Sequence, residues 1–191
     1  MPPKVRITRE MILQAAYAIA REQGAEQLSA RVIAERLGCS TQPVLYQFGH
    51  VEDIRREVYR MADEYQTACL MQPREDTDPM TAMGLNYIRF AAEEKQLFRL
   101  LFQSDSFRGQ GIALLMDTPE LEPVLEVFRQ EAELSPMQAK QVFKTLFLLV
   151  HGYASMLANN TMEYNEEEIA QILNTAFYGL MAAVKMEEEK P

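Results

Sequence analysis

Glycine and proline are scarce in this 191-residue chain, at 8 and 9 residues, and no run of β-branched residues alternates with polar ones. That argues against a sheet protein and for an all-α one, and 48% apolar residues supply enough material for a helical core. Long hydrophobic runs are missing too. The most apolar stretch, Leu146 to Val150, is broken off by His151 and Gly152, far short of the roughly 20 residues a membrane-spanning helix needs. Met1-Pro2-Pro3-Lys4 leads into a charged segment, not into the apolar centre of a secretion signal. Cysteine is limited to Cys39 and Cys69, with no CxxC pair, which points to a reduced, cytoplasmic protein without a zinc site. The histidines are His50 and His151 alone. With no Ser-His-Asp order, no glycine-rich phosphate loop and no cluster of metal ligands, nothing suggests an enzyme, a metal or a cofactor.

Basic charge is in short supply as well: 19 Lys and Arg stand against 28 Asp and Glu, a net charge of −9. The distribution matters more than the total. Residues 1–60 hold nine basic and seven acidic side chains, and residues 61–191 hold ten and twenty-one. Attraction to phosphate acts within a Debye length of about 8 Å at physiological salt. A slightly basic N-terminal end can therefore face nucleic acid while the acidic remainder is repelled and orients the molecule.

The segment Leu28 to Gly49 reads as two short helices joined by a tight turn. Ser29 is a good N-cap, and Ile33, Ala34 and Leu37 then recur at helical spacing. Gly38 can close that helix in a left-handed conformation. Ser40 caps the second helix, and Pro43 sits in its first turn, where no N–H is needed. Val44 and Phe48 form its inward face, leaving Thr41, Gln42, Tyr46 and Gln47 turned elsewhere. Hydrogen-bonding side chains near the start of a short second helix are what reading the DNA major groove requires.

Upstream, Thr8 caps a first helix that runs to Gln23, with Ile12, Leu13, Ala16, Ile19 and Ala20 as its stripe and Gly24 at its end. A fourth helix, 52–71, keeps a 3.6-residue apolar period and connects the small N-terminal domain, 1–50, to a helical domain, 51–191. Gln72 to Pro79 forms a corner rich in acids and prolines. Further helices are expected over 80–93, 94–103, 118–133, 135–159 and 165–186. Their start signals are Thr118-Pro119, Ser135-Pro136 and Asn165 with Glu168, and a loose stretch at 104–111 carries Gly109 and Gly111. No internal repeat is visible.

From Thr8 to Tyr59 the residues resemble the TetR family of bacterial transcriptional regulators. The likeness is carried by Ala15-Ala16, Gly24, Ile33-Ala34 with Leu37-Gly38, Leu45-Tyr46-x-Phe48, and Glu52-Asp53 before Ile54. The resemblance implies a homodimer with an N-terminal three-helix DNA-binding domain. It also implies a helical domain that binds a small effector and dimerises through its last two long helices. Three positions depart from the usual pattern. Gln47 stands where His or Asn is common, Cys39 where Val is common, and Val51 where a Lys usually contacts the DNA backbone. His50 and Arg55 are left as replacement cations for that contact.

The expected DNA-binding set is Thr41 and Gln42 on base edges, with Ser29, Arg31, Ser40, Tyr46 and Gln47 on phosphates. Lys4 and Arg6 form either a basic arm on DNA or a solubilising terminus. The candidate effector pocket is lined by Met83, Tyr87, Phe90, Phe98, Phe102, Phe107, Met116, Phe147 and His151, with the Gly109/Gly111 segment as its entrance. The same side chains also suit plain core packing. Phe143, Val150, Tyr153, Leu157, Leu173, Phe177, Leu180 and Met181 exceed what one intramolecular face needs and form the expected dimer interface. Gly152, Ala154 and Gly179 would allow close helix approach. Two readings stay open: a repressor released by a hydrophobic or aromatic effector, and a ligand-independent regulator whose helical domain holds a protein partner.

Overall fold

The computed structural model describes residues 7–103 and 118–188, and over these the chain is all-helical. The α-helices are α1 (Arg9–Gln23), α2 (Ala30–Arg36), α3 (Thr41–Phe48), α4 (Val51–Leu70), α5 (Pro79–Glu93), α6 (Lys95–Phe102), α7 (Glu122–Ala132), α8 (Pro136–Asn159) and α9 (Glu166–Glu188). None of the described helices is long and apolar enough to cross a membrane. Lys4, Arg6, Phe107, Gly109, Gly111 and Met116 lie outside the described residues.

The chain folds as two compact units. One runs to Thr67 and resumes at Glu94; the other takes Ala68–Glu93 and the C-terminal part. The first therefore extends beyond residue 50, for a physical reason. Ile54 and Val58 of α4 are buried in the same core as Ile12, Ile19, Ile33, Val44 and Phe48, and Leu100 of α6 packs against it. Moving that α4 face into water would forfeit about 1.5–3 kcal/mol per large side chain.

Local chemistry sets the boundaries in this unit. The Thr8 hydroxyl accepts from Met11 N–H at 3.2 Å, and the Gly24 N–H donates to Ala20 O at the other end of α1. In α2, Ser29 Oγ accepts from Val32 N–H at 3.2 Å. Gly38, at φ +64°, lets Cys39 N–H reach Ala34 O at 2.9 Å and its own N–H reach Glu35 O, which satisfies the last carbonyls of α2. Ser40 occupies the N-cap of α3 but its hydroxyl makes no capping bond, contrary to the sequence expectation.

In the second unit α5 is buried almost all round and packs on α7, α8 and α9. Its core includes Met83, Val124, Phe128, Ala139, Val142, Leu146 and Val184. At Gly84 a β-carbon would come within 2.9 Å of Leu173 Cδ1, so α5 and α9 meet where a side chain is absent. Asn86 is buried and donates to Leu70 O (3.2 Å) and Gln72 O (2.8 Å), tying off carbonyls at the end of α4. Ser135 opens α8 with a full capping box to Gln138. Thr118-Pro119 behaves differently from the expectation: it starts a single 3-10 turn (Pro119–Leu121), and α7 itself begins at Glu122 with Pro123 in its first turn.

Candidate nucleic-acid interface

The turn closed by Gly38 joins α2 to α3, and α3 shows two faces. Val44 and Phe48 are buried, while Thr41, Gln42, Leu45 and Tyr46 are exposed. Gln42 and Tyr46 are four residues apart and so share a side of the helix. Tyr46 is 86% exposed, far beyond what a packed aromatic would tolerate by chance of burial. Ser40 is exposed, and its hydroxyl is not spent on a cap. Arg31 projects from the first turn of α2 into solvent. Thr41, Gln42, Tyr46, Ser40 and Arg31 are therefore all open to an external ligand.

Three residues sit less openly. Ser29 is half-buried and its hydroxyl caps α2. Gln47 is half-buried, and its side-chain amide points at Ile7 O, 3.5 Å away. Arg55, one of the two cations expected near Val51, is partly buried. Its Nη2 turns inward and donates to Leu28 O at 2.6 Å, and its Nε is buried without a partner among the described residues. His50 remains exposed beside Val51.

A contact cluster not foreseen from the sequence surrounds the end of α3. Arg9 lies with its guanidinium 3.9 Å from the centroid of the Phe48 ring, donates to Gln47 O at 3.4 Å, and pairs with Glu57 of α4 at 3.2 Å. Nothing in the spacing announces this, because Arg9 stands 38 residues before Gln47 and 48 before Glu57.

In the second unit, α8 carries an aromatic ladder at four-residue intervals. Phe143 and Phe147 stack at 5.9 Å, Phe147 and His151 at 5.4 Å, and Phe128 of α7 meets Phe143 edge-on at 5.5 Å. Tyr87 of α5 packs edge-on against Phe147, and its hydroxyl lies 2.9 Å from His151 Nδ1. Burial pushes the Tyr87 phenol up and the His151 imidazole down from their ordinary values, so both stay neutral at pH 7. Met83 and Phe90 are buried on α5. Phe102 belongs to the first unit, where its ring meets that of Phe98 at a tilt, with centroids 5.1 Å apart. A separate concavity of about 470 Å³ is lined by Asp76, Asp78, Thr81, Glu166, Glu167 and Asn174. Glu166 is already engaged there: it accepts from Arg74 (2.6 Å) and Tyr164 (2.7 Å), and the Arg74 guanidinium holds its carboxyl below the usual range.

Of the expected dimer residues, Val150, Leu157 and Leu173 are buried within the single chain, and Phe143, Phe177, Leu180 and Met181 pack against its core. Tyr153 is half-buried. Phe143, Tyr153, Phe177, Leu180 and Met181 keep part of their surface open. The open apolar stripe lies on another face of the same helices, through Leu148 (52% exposed), Leu149 and Met156 (51%) on α8 and Ile172 and Tyr178 on α9. Gly152 and Gly179 lie in these stripes with open space around them.

No family model and no curated protein matches this chain in sequence. Solved structures do match in fold. One is a transcriptional regulator from Rhodococcus sp. Rha1, 16% identical, with a TM-score of 0.62 over 93% of this chain and 97% of the other. Another, from Mesorhizobium loti MAFF303099, is assigned to the TetR family of transcriptional regulators. It is 20% identical, with a TM-score of 0.57 over 93% and 98%. The class defined by these helices and their order is thus a two-unit, all-α fold carrying a helix-turn-helix. In particular, it is a fold shared with a TetR-family regulator over nearly the full length of both chains.

Proposed function

We propose that the protein is a homodimeric, DNA-binding transcriptional regulator of the TetR type. It acts in the cytoplasm as a repressor, and a small hydrophobic or aromatic effector releases it from its operator. The observation that carries this reading is the α2–α3 pair, in which Thr41, Gln42 and Tyr46 stand exposed on a helix whose other face is locked into a core. Such a helix can enter a major groove without losing its own support. The fold likeness adds to this. Two helices of that kind require two copies. The open stripe through Leu148, Leu149, Met156, Ile172 and Tyr178 supports a face-to-face association of α8 and α9 with their counterparts. A near-palindromic site would then present its half-sites about one helical turn apart or more. The buried aromatics around the Tyr87–His151 pair support an effector of apolar character with a polar anchor.

Selection from random duplexes with the full-length protein tests the reading. A palindromic consensus is expected, bound more weakly as salt rises. Failure to enrich any sequence would overturn it. Displacement of the enriched duplex by members of an aromatic small-molecule panel tests the effector.

A further inference from the structure

We infer that Arg9 is a positioning residue that sets the angle of α3 through three simultaneous contacts, and that Glu57 is its anchor. The inference rests on the DNA-binding reading above. The start of α3 is fixed by the turn at Gly38 and by Val44 in the core. Its end also reaches that core, through Phe48, and is held from outside as well. The Arg9 guanidinium covers the Phe48 ring at 3.9 Å, donates through Nη1 to Gln47 O at 3.4 Å, and through Nη2 to Glu57 Oε1 at 3.2 Å. Gln47 adds a return contact to Ile7 O, just ahead of Arg9. One side chain of α1 therefore touches the last turn of α3 and the second turn of α4 together. Glu57 is itself braced, since its other oxygen accepts from Arg60 Nε at 3.2 Å. Each contact alone is long and partly solvated, with the Arg9 side chain half exposed, so each adds little to folding stability. Three together on a planar fork restrict direction, which is the property guanidinium has and ammonium lacks. With Val44 and Phe48 still seated in the core but the Arg9 clamp gone, α3 would roll about the line through those two side chains, displacing Gln42 and Tyr46 from a groove.

The sign of one substitution separates this from a simpler role. If Arg9 were only a phosphate contact, Glu57→Gln would remove a negative charge near DNA and tighten binding. If Glu57 anchors Arg9, the same change weakens binding to the selected duplex. The test measures the full-length protein, Arg9→Lys and Glu57→Gln against the duplex the wild type selects and a scrambled duplex of equal length, across a salt series. Both variants are expected to lose at least about fivefold on the selected duplex. Affinity for the scrambled duplex, and the melting temperature, should hold. Tighter or unchanged binding by Glu57→Gln would overturn the inference, leaving Arg9 as a plain phosphate contact or none. Loss on both duplexes with a lowered melting temperature would overturn it in favour of a purely structural ion pair. A wild type that selects no duplex would instead bring down the DNA-binding reading, and the inference with it.

Discussion

The Tyr87 hydroxyl on α5 lies 2.9 Å from Nδ1 of His151 on α8, and His151 in turn stacks on Phe147. A neutral imidazole can accept that phenol proton; an imidazolium cannot. Burial lowers the folded-state pKa of His151 below 6.5. The unfolded chain therefore binds more protons than the folded one in that window, and stability falls as pH drops through 6.5 toward the lower folded value. The Glu166 carboxyl is depressed by Arg74, so its contribution is lost only below the usual value of 4.5. Thermal melts between pH 7 and 5 should thus show a decline that is smaller in His151→Gln. An identical decline in both proteins would assign it to other groups.

Ser29 and Ser40 stand at the starts of neighbouring helices but do different work. Only Ser29 accepts a backbone N–H. Ser29→Ala should cost about 1 kcal/mol in denaturant unfolding, as loss of a helix N-cap does. Ser40→Ala should leave unfolding nearly unchanged and act, if anywhere, on DNA affinity. Equal stability losses in the two would contradict the assignment.

Gln42 and Tyr46 should separate in binding assays. Gln42→Ala is expected to relax sequence preference at one base position, a loss of about 1–3 kcal/mol on the preferred duplex only. Tyr46→Phe is expected to weaken selected and scrambled duplexes alike, because a hydroxyl on phosphate carries no sequence information. Titration of matched duplex pairs reads both.

The faces of α8 make opposite predictions for assembly and folding. Leu148→Glu lies on the open stripe, so it should shift sedimentation toward the monomer while each chain stays folded by circular dichroism. Leu157 is 1% exposed, and Leu157→Ala should cost about 2–5 kcal/mol of stability. A dimer that survives Leu148→Glu would move the interface elsewhere.

The helix-turn-helix was legible in the sequence because its signals are local. Thr8, Gly24, Ser29 and Gly38 each act on backbone groups within five residues, and all four behave as their chemistry requires. Long-range choices left no such trace. α8 is apolar on more than one face, so periodicity could not tell Val150 and Leu157, which are spent inside the chain, from Leu148 and Met156, which are not. Arg55 reads as an exposed cation near Val51, yet its reach to Leu28 O depends on where α4 passes the segment before α2. Asn86 and Gln66 are buried polar residues whose partners or surroundings exist only after folding. The pairing of Tyr87 with His151 joins two residues both picked out as pocket candidates, though nothing in their spacing of 64 residues indicated a bond.

Gly152 and Gly179 sit inside long helices with nothing within 4 Å of where a β-carbon would stand. Glycine in such a place lowers helix stability by roughly 1 kcal/mol relative to alanine, and no neighbour among the described residues demands it. Alanine at either position would make a sturdier single chain, so any selection that keeps glycine there acts on encounters and not on folding. Alanine at these two sites would raise the melting temperature by a few degrees while altering the company the protein keeps.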